Sequence, residues 1–210
     1  LQETLNRLMR FSYYAYENDL AKGFVTIEGG HRVGVCGKVV QKNGEAALIK
    51  EISSLNIRFA KEIKGCSDAV FHRLYQKDGQ VQPANTLIIS PPGCGKTTLL
   101  RDLIRQLSSG STFHPGMTVG VVDERSEIGG AYLGIPQNDL GPRTDLLDGC
   151  RKSEGMLMLL RSMTPEVIAA DELGSQEDRY ALESVFHCGC HLVATAHGTS
   201  FAASARSPLL

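Results

Sequence analysis

Short apolar runs that each end in polar residues organise the second half of this chain. Thr86, Leu87, Ile88 and Ile89 form a run suited to a buried parallel strand, and residues 96–107 (KTTLLRDLIRQL) repeat apolar positions at helical spacing. Residues 117–122 (MTVGVV) predict a strand ending at Asp123 and Glu124, residues 166–170 (EVIAA) one ending at Asp171 and Glu172, and residues 191–195 one ending near His197. Ser175 and Asp178 have capping-box spacing for a helix through Phe186, closed by Gly189. Polar groups thus collect at the carboxyl ends of successive strands, where open α/β sheets bind ligands.

The first part of the chain has a different texture. Residues 23–41 (GFVTIEGGHRVGVCGKVVQ) alternate β-branched side chains, interrupted by Gly29, Gly30 and Gly37, and predict a small hairpin sheet. Residues 52–63 read as a strand running into a helix, residues 66–75 as helical, and Asp78, Gly79 and Pro83 as turn and linker. The expected architecture is a small α+β domain over residues 1–82, followed by an α/β domain with a mostly parallel sheet over residues 83–210. The chain begins at Leu1 and stops at Leu210 just past a predicted strand and turn, so it is expected to be a fragment truncated at both ends.

Composition narrows the partners. A net charge of −1 and 6% aromatic residues offer neither a basic footprint nor a stacking groove, which disfavours nucleic acid. The longest apolar stretch, residues 156–160, is too short to span a bilayer, and no secretory signal opens the chain; a cytoplasmic location is expected. Cys36, Cys66, Cys94, Cys150, Cys188 and Cys190 are then expected as reduced thiols. His187, Cys188, Cys190 and His191 lie too close together for the usual zinc framework. Tyr13, Tyr14 and Tyr16 fit either a partner surface or a local core.

The chemistry lies in Ser90, Pro91, Pro92, Gly93, Cys94, Gly95, Lys96 and Thr97, with Thr98 following. This is a Walker A phosphate loop with serine in place of its first glycine. Between a strand and a helix start, Gly93 and Gly95 let backbone N–H groups face phosphate oxygens, and the helix N-terminus adds positive potential. Lys96 is expected on the β- and γ-phosphates, and the Thr97 hydroxyl on Mg2+ with ATP. Asp171 and Glu172 fit a Walker B pair, one carboxylate holding the metal and the other orienting or deprotonating water. Asp123 and Glu124 fit a catalytic base or a helix-capping pair, and His197 a γ-phosphate sensor or a structural histidine.

Residues 159–172 (LLRSMTPEVIAADE) resemble the Walker B approach of type II and type IV secretion ATPases, residues 189–198 (GCHLVATAHG) their histidine box, and residues 122–128 (VDERSEI) their aspartate box. Residues 23–34 (GFVTIEGGHRVG), residues 53–58 (SSLNIR) and residues 123–128 together look like the stage III sporulation protein AA family. That resemblance implies a RecA-like P-loop ATPase of endospore-forming bacteria, cytoplasmic in the mother cell, that powers or gates a secretion-like channel to the forespore. It implies self-assembly into a ring, a hexamer by likeness, with membrane components of that channel as partners. It also makes Arg32 and Arg58 candidates for arginine contacts to phosphate, against a reading as sheet-pairing surface cations. By the same resemblance Glu172, Glu124, Asp123 and His197 form the catalytic set, with Thr97 and Asp171 on Mg2+. The secretion ATPases carry glycine where Asp171 stands and order the aspartate box with glutamate before aspartate, so the choice among the carboxylates stays open. A nucleic-acid-stimulated RecA-like ATPase and a non-catalytic ATP-binding scaffold are the competing readings, and the truncated chain is compatible with binding without turnover.

Overall fold

The computed structural model describes residues 1–12, 16–42, 45–75, 82–112 and 114–199; Tyr13, Tyr14 and the Asp78–Gly79 turn lie outside them. Two compact units emerge, one formed by Leu1–Lys61 with Gly130–Asn138 and the other by Glu62–Gly129 with Asp139–Leu210.

In the first unit, helices α1 (Gln2–Leu8) and α2 (Glu17–Ala21) accompany strands β1 (Phe24–Ile27), β2 (His31–Lys42) and β3 (Glu45–Arg58), which form an antiparallel sheet in the order β1-β2-β3. Gly29 and Gly30, at φ +83° and +73°, turn the chain between β1 and β2 in a region that side-chain-bearing residues avoid. Leu5, Met9, Tyr16, Leu20, Val25, Val33, Val35 and Ile49 bury together as its core. Tyr16 therefore belongs to a core rather than a partner surface. The strand expected from residue 52 forms as the end of β3, which β2 pairs as far as Arg58, with Val33 opposite Ile57 and Arg32 opposite Arg58. The helix expected to follow it does not form over residues 59–63.

The second unit holds α3 (Asp68–Phe71), β4 (Thr86–Ser90), α4 (Lys96–Ser109), β5 (Val119–Asp123), β6 (Thr144–Asp148), α5 (Lys152–Ser162), β7 (Val167–Ala170), α6 (Gln176–His187) and β8 (His191–His197). Its five strands are all parallel, in the order β4-β8-β7-β5-β6. Strand alternation builds two apolar layers. Val119, Val121, Val167, Ala169 and Val193 pack with Leu100, Leu103, Ile104 and Leu107 of α4, while Val122, Ile168, Ala170, Leu192 and Ala194 pack with Met156 and Leu159 of α5 and Ala181 and Val185 of α6. The α6 capping box forms as its spacing predicts: the Ser175 hydroxyl accepts from the Asp178 amide and Asp178 accepts from the Ser175 amide.

Residues 62–75, which the sequence groups with the N-terminal part, pack in this second unit. The Asp102 carboxylate on α4 accepts from the amides of Gly65 at 3.1 Å and Ser67 at 2.8 Å and from the Ser67 hydroxyl at 2.6 Å, and Phe71, Leu74 and Tyr75 join the α4 core. By its contacts the first unit runs through Lys61 and takes in Gly130–Asn138, and residues 62–75 belong to the second.

Candidate nucleotide site

The phosphate loop leaves β4 at Ser90 and enters α4 at Lys96, with Gly93 at φ +74° and Gly95 at φ +82°. A Cβ built on either glycine would meet nothing within 4 Å, so the loop bounds an open cradle whose shape comes from backbone alone. Pro91, Pro92, Gly93, Cys94 and Gly95 are exposed, and Thr97 and Thr98 are half-buried on the first turn of α4. Lys96 is only 6% exposed; its Nζ donates to the Pro91 carbonyl at 3.1 Å and lies 3.2 Å from His197 Nδ1. An ammonium can only donate, so Nδ1 accepts and the ring hydrogen sits on Nε2. That Nε2 is 2.8 Å from Glu172 Oε1. His197 thereby links the loop lysine to the Walker B glutamate.

Strand order makes this link possible. β8 lies between β4 and β7, with Ser90 opposite His197 and Ala170 opposite Ala194. Val193, Thr195 and His197 share the α4 side of β8 by alternation, and Asp171 follows Val167 and Ala169 on the same side of β7. Asp171 accepts the Thr97 hydroxyl at 2.5 Å through Oδ2 and the Thr195 hydroxyl through Oδ1. The Glu172 amide donates to Asp171 Oδ1 at 3.1 Å and to Thr195 Oγ1 at 2.7 Å, which holds Glu172 at φ +53°. A non-glycine residue in that region carries strain of roughly 1–3 kcal/mol and turns its side chain out of the strand pattern. Glu172 Oε2 receives Arg125 NH1 at 2.7 Å.

The β5 carboxylates divide. Asp123 is 2% exposed, and its oxygens accept the amides of Glu127 at 2.8 Å, Ile128 at 2.9 Å and Gly129 at 2.8 Å. Burial pushes its carboxyl up to about 6; the Gly129 and Glu127 amides pull the other way and the Asp148 charge adds to the rise. Glu124 is ion-paired with Lys152 and lines a cleft with Asp123, Arg125, Lys152, Asp171 and Glu172. Arg32 and Arg58 lie in the N-terminal unit, opposite each other across β2 and β3, with the Arg32 guanidinium 3.5 Å from the Phe24 ring centroid. His187 and His191 bracket a helix end and a strand start, and all six cysteines are free thiols.

Thr195, Arg125 and Lys152 are site residues that sequence reading passes over. Thr195 was within reach, two positions before His197 and so on the same strand face. Arg125 and Lys152 lie 47 and 28 positions from their carboxylate partners, and no local pattern connects them.

A phosphate loop between β4 and α4, facing a carboxylate pair at the end of β7 with β8 between them, defines a RecA-like P-loop ATPase fold. Structures of the Legionella pneumophila ATPase DotB (TM-score 0.53, 16% identity, 84% of this chain and 45% of that one) and the Yersinia pseudotuberculosis ATPase DotB (TM-score 0.56, 14% identity, 84% and 44%) share that fold. The chain belongs to the family Sporulation stage III, protein AA, whose model matches residues 1–210. It is 46% identical over 206 residues to Stage III sporulation protein AA of Bacillus subtilis (strain 168), covering 98% of this chain and 66% of that protein. The chain therefore spans just under two thirds of that relative's length.

Proposed function

We propose that this chain binds ATP with Mg2+ and hydrolyses it, serving as the motor of a secretion-like channel complex in endospore formation. One observation carries the reading: Lys96, Thr97, Asp171, Glu172 and His197, from two strand ends and one helix start, meet in a single hydrogen-bonded chain. Such convergence of a phosphate-binding cation with carboxylates suits phosphoryl transfer, where positioning and charge stabilisation do most of the work.

The donor set suits Mg2+. Thr97 and Asp171 supply one hydroxyl and one carboxylate oxygen 2.5 Å apart beside the open glycine cradle, the hard ligands that magnesium takes alongside phosphate oxygens. Bound there, Mg2+ would neutralise charge on the β- and γ-phosphates. Lys96 leaves the Pro91 carbonyl for phosphate, and the Gly93 to Lys96 backbone amides cradle the oxygens. Glu172 orients the water and takes its proton as the water oxygen attacks the γ-phosphorus and the bond to the β-phosphate oxygen breaks. His197, bonded to both Lys96 and Glu172, is placed to couple phosphate occupancy to the state of the base. Asp123, with its oxygens engaged by three backbone amides, anchors its loop, and Glu124 is the second candidate base.

The family resemblance extends the proposal to a mother-cell cytoplasmic location, a hexameric ring and membrane components of the channel as partners, with Arg32 and Arg58 as candidate phosphate contacts against their reading as sheet-pairing cations. No helix among the described residues is long and apolar enough to cross a membrane. Sizing the full-length protein with and without a non-hydrolysable ATP analogue tests the assembly: a motor gains a discrete ring with nucleotide, and a persistent monomer that binds the analogue contradicts it. Nucleotide turnover by the same sample, lost in Lys96→Ala, tests the chemistry.

A further inference from the structure

The loop after β5 is held on both sides. Asp123 takes the amides of Glu127, Ile128 and Gly129, while Arg101 of α4 donates to the carbonyls of Glu127 at 2.6 Å and Ile128 at 2.7 Å. Residues on this loop are therefore presented from a fixed base rather than a loose surface turn. Arg125 is one of them, and its guanidinium meets Glu172 Oε2 at 2.7 Å while His197 Nε2 meets Oε1 at 2.8 Å. Both oxygens of the candidate base are then engaged by donors. An attacking water then competes with Arg125 and His197 for the lone pairs of that carboxylate.

We propose that Arg125 is a latch on Glu172, a positioning residue whose ion pair keeps the base engaged for part of the time with nucleotide bound. The inference rests on the ATPase reading above. The Arg125 side chain is 62% exposed, so the pair is screened by solvent and exchanges readily, unlike a buried one. With Arg125 released, Glu172 Oε2 accepts the proton of the attacking water, ADP departs with the electrons of the broken phosphorus–oxygen bond, and the γ-phosphoryl group leaves as inorganic phosphate.

The test compares full-length wild type with Arg125→Ala and Arg125→Lys, with Glu172→Gln as the blank and urea midpoints confirming that each variant folds. Arg125→Ala is expected to raise kcat by up to about fivefold, the range that a screened ion pair can withhold, with KM for ATP nearly unchanged. Arg125→Lys, which keeps the cation, should return kcat toward wild type. Wild-type turnover with Arg125→Ala unchanged or slower overturns the latch and leaves the ATPase reading standing. Binding of a fluorescent ATP analogue by both proteins with hydrolysis by neither overturns the ATPase reading and the latch with it.

Discussion

The Thr97 hydroxyl donates to Asp171 Oδ2 at 2.5 Å, joining the first turn of α4 to the end of β7 across the intervening β8. The two oxygens are thus held together by the sheet before any ligand arrives. Thr97→Ala and Asp171→Asn are expected to lower Mg2+-dependent turnover about 100-fold while keeping ATP-analogue binding in the absence of the metal. Magnesium titrations of each variant check this, and a variant with wild-type magnesium dependence would remove that residue from the metal site.

Lys96 is buried against Pro91 and His197, so its loss affects binding rather than only turnover. ATP is expected to raise the Tm of wild type and to leave Lys96→Ala unmoved, since stabilisation by a ligand follows its occupancy. Differential scanning fluorimetry with 1,N6-etheno-ATP binding as a second readout tests the claim. The resting Tm should fall little, because only two hydrogen bonds of the lysine are lost.

Asp123 gives a pH signature. Its folded pKa of about 6 stands above the unfolded value of about 3.9, so its protonation stabilises the fold fully below pH ~4 and that contribution fades as pH rises through ~6. Asp123→Asn keeps the shape but offers an NH2 where amides of Ile128 and Gly129 donate, and is expected to cost about 1–3 kcal/mol. The stability gap between wild type and variant should narrow from pH 4.5 to pH 7.5 in urea unfolding. A gap that widens over that range reverses the assigned sign.

Much of this site was legible because alternation places side chains without tertiary knowledge. Val119, Val121 and Asp123, like Val193, Thr195 and His197, fall on one sheet face by counting in twos, and the strand ends, the phosphate loop and the α6 capping box all follow from local pattern. What was not legible depended on competition between distant segments. Residues 59–63 carry helical preference but follow a strand whose register β2 extends to Arg58, and residues 62–75 read as part of the N-terminal domain because their partner, Asp102, lies more than 25 residues further on. β6 (TDLLD) and the reach of Arg125 to Glu172 are invisible for the same reason.

Gly155 sets how closely α5 approaches β5. A Cβ there would lie 2.5 Å from Val122 Cγ1 and 2.8 Å from Cys150 Sγ, beneath the strand that carries Asp123. Gly155→Val is expected to destabilise the protein by about 1–3 kcal/mol, since a packed interface admits extra volume only by shifting backbone. Thermal unfolding should show a fall of several degrees, and an unchanged Tm would place α5 farther from the sheet.

The most direct measurement is single-turnover hydrolysis of ATP by the full-length protein and its Glu172→Gln variant, with nucleotide occupancy measured in the same samples. The expected result is equal occupancy, Mg2+-dependent release of phosphate by wild type, and a rate at least about 100-fold lower for the variant. Equal phosphate release by the two proteins, or none by wild type at full occupancy, contradicts the assignment of this site as an ATPase centre with Glu172 as its base.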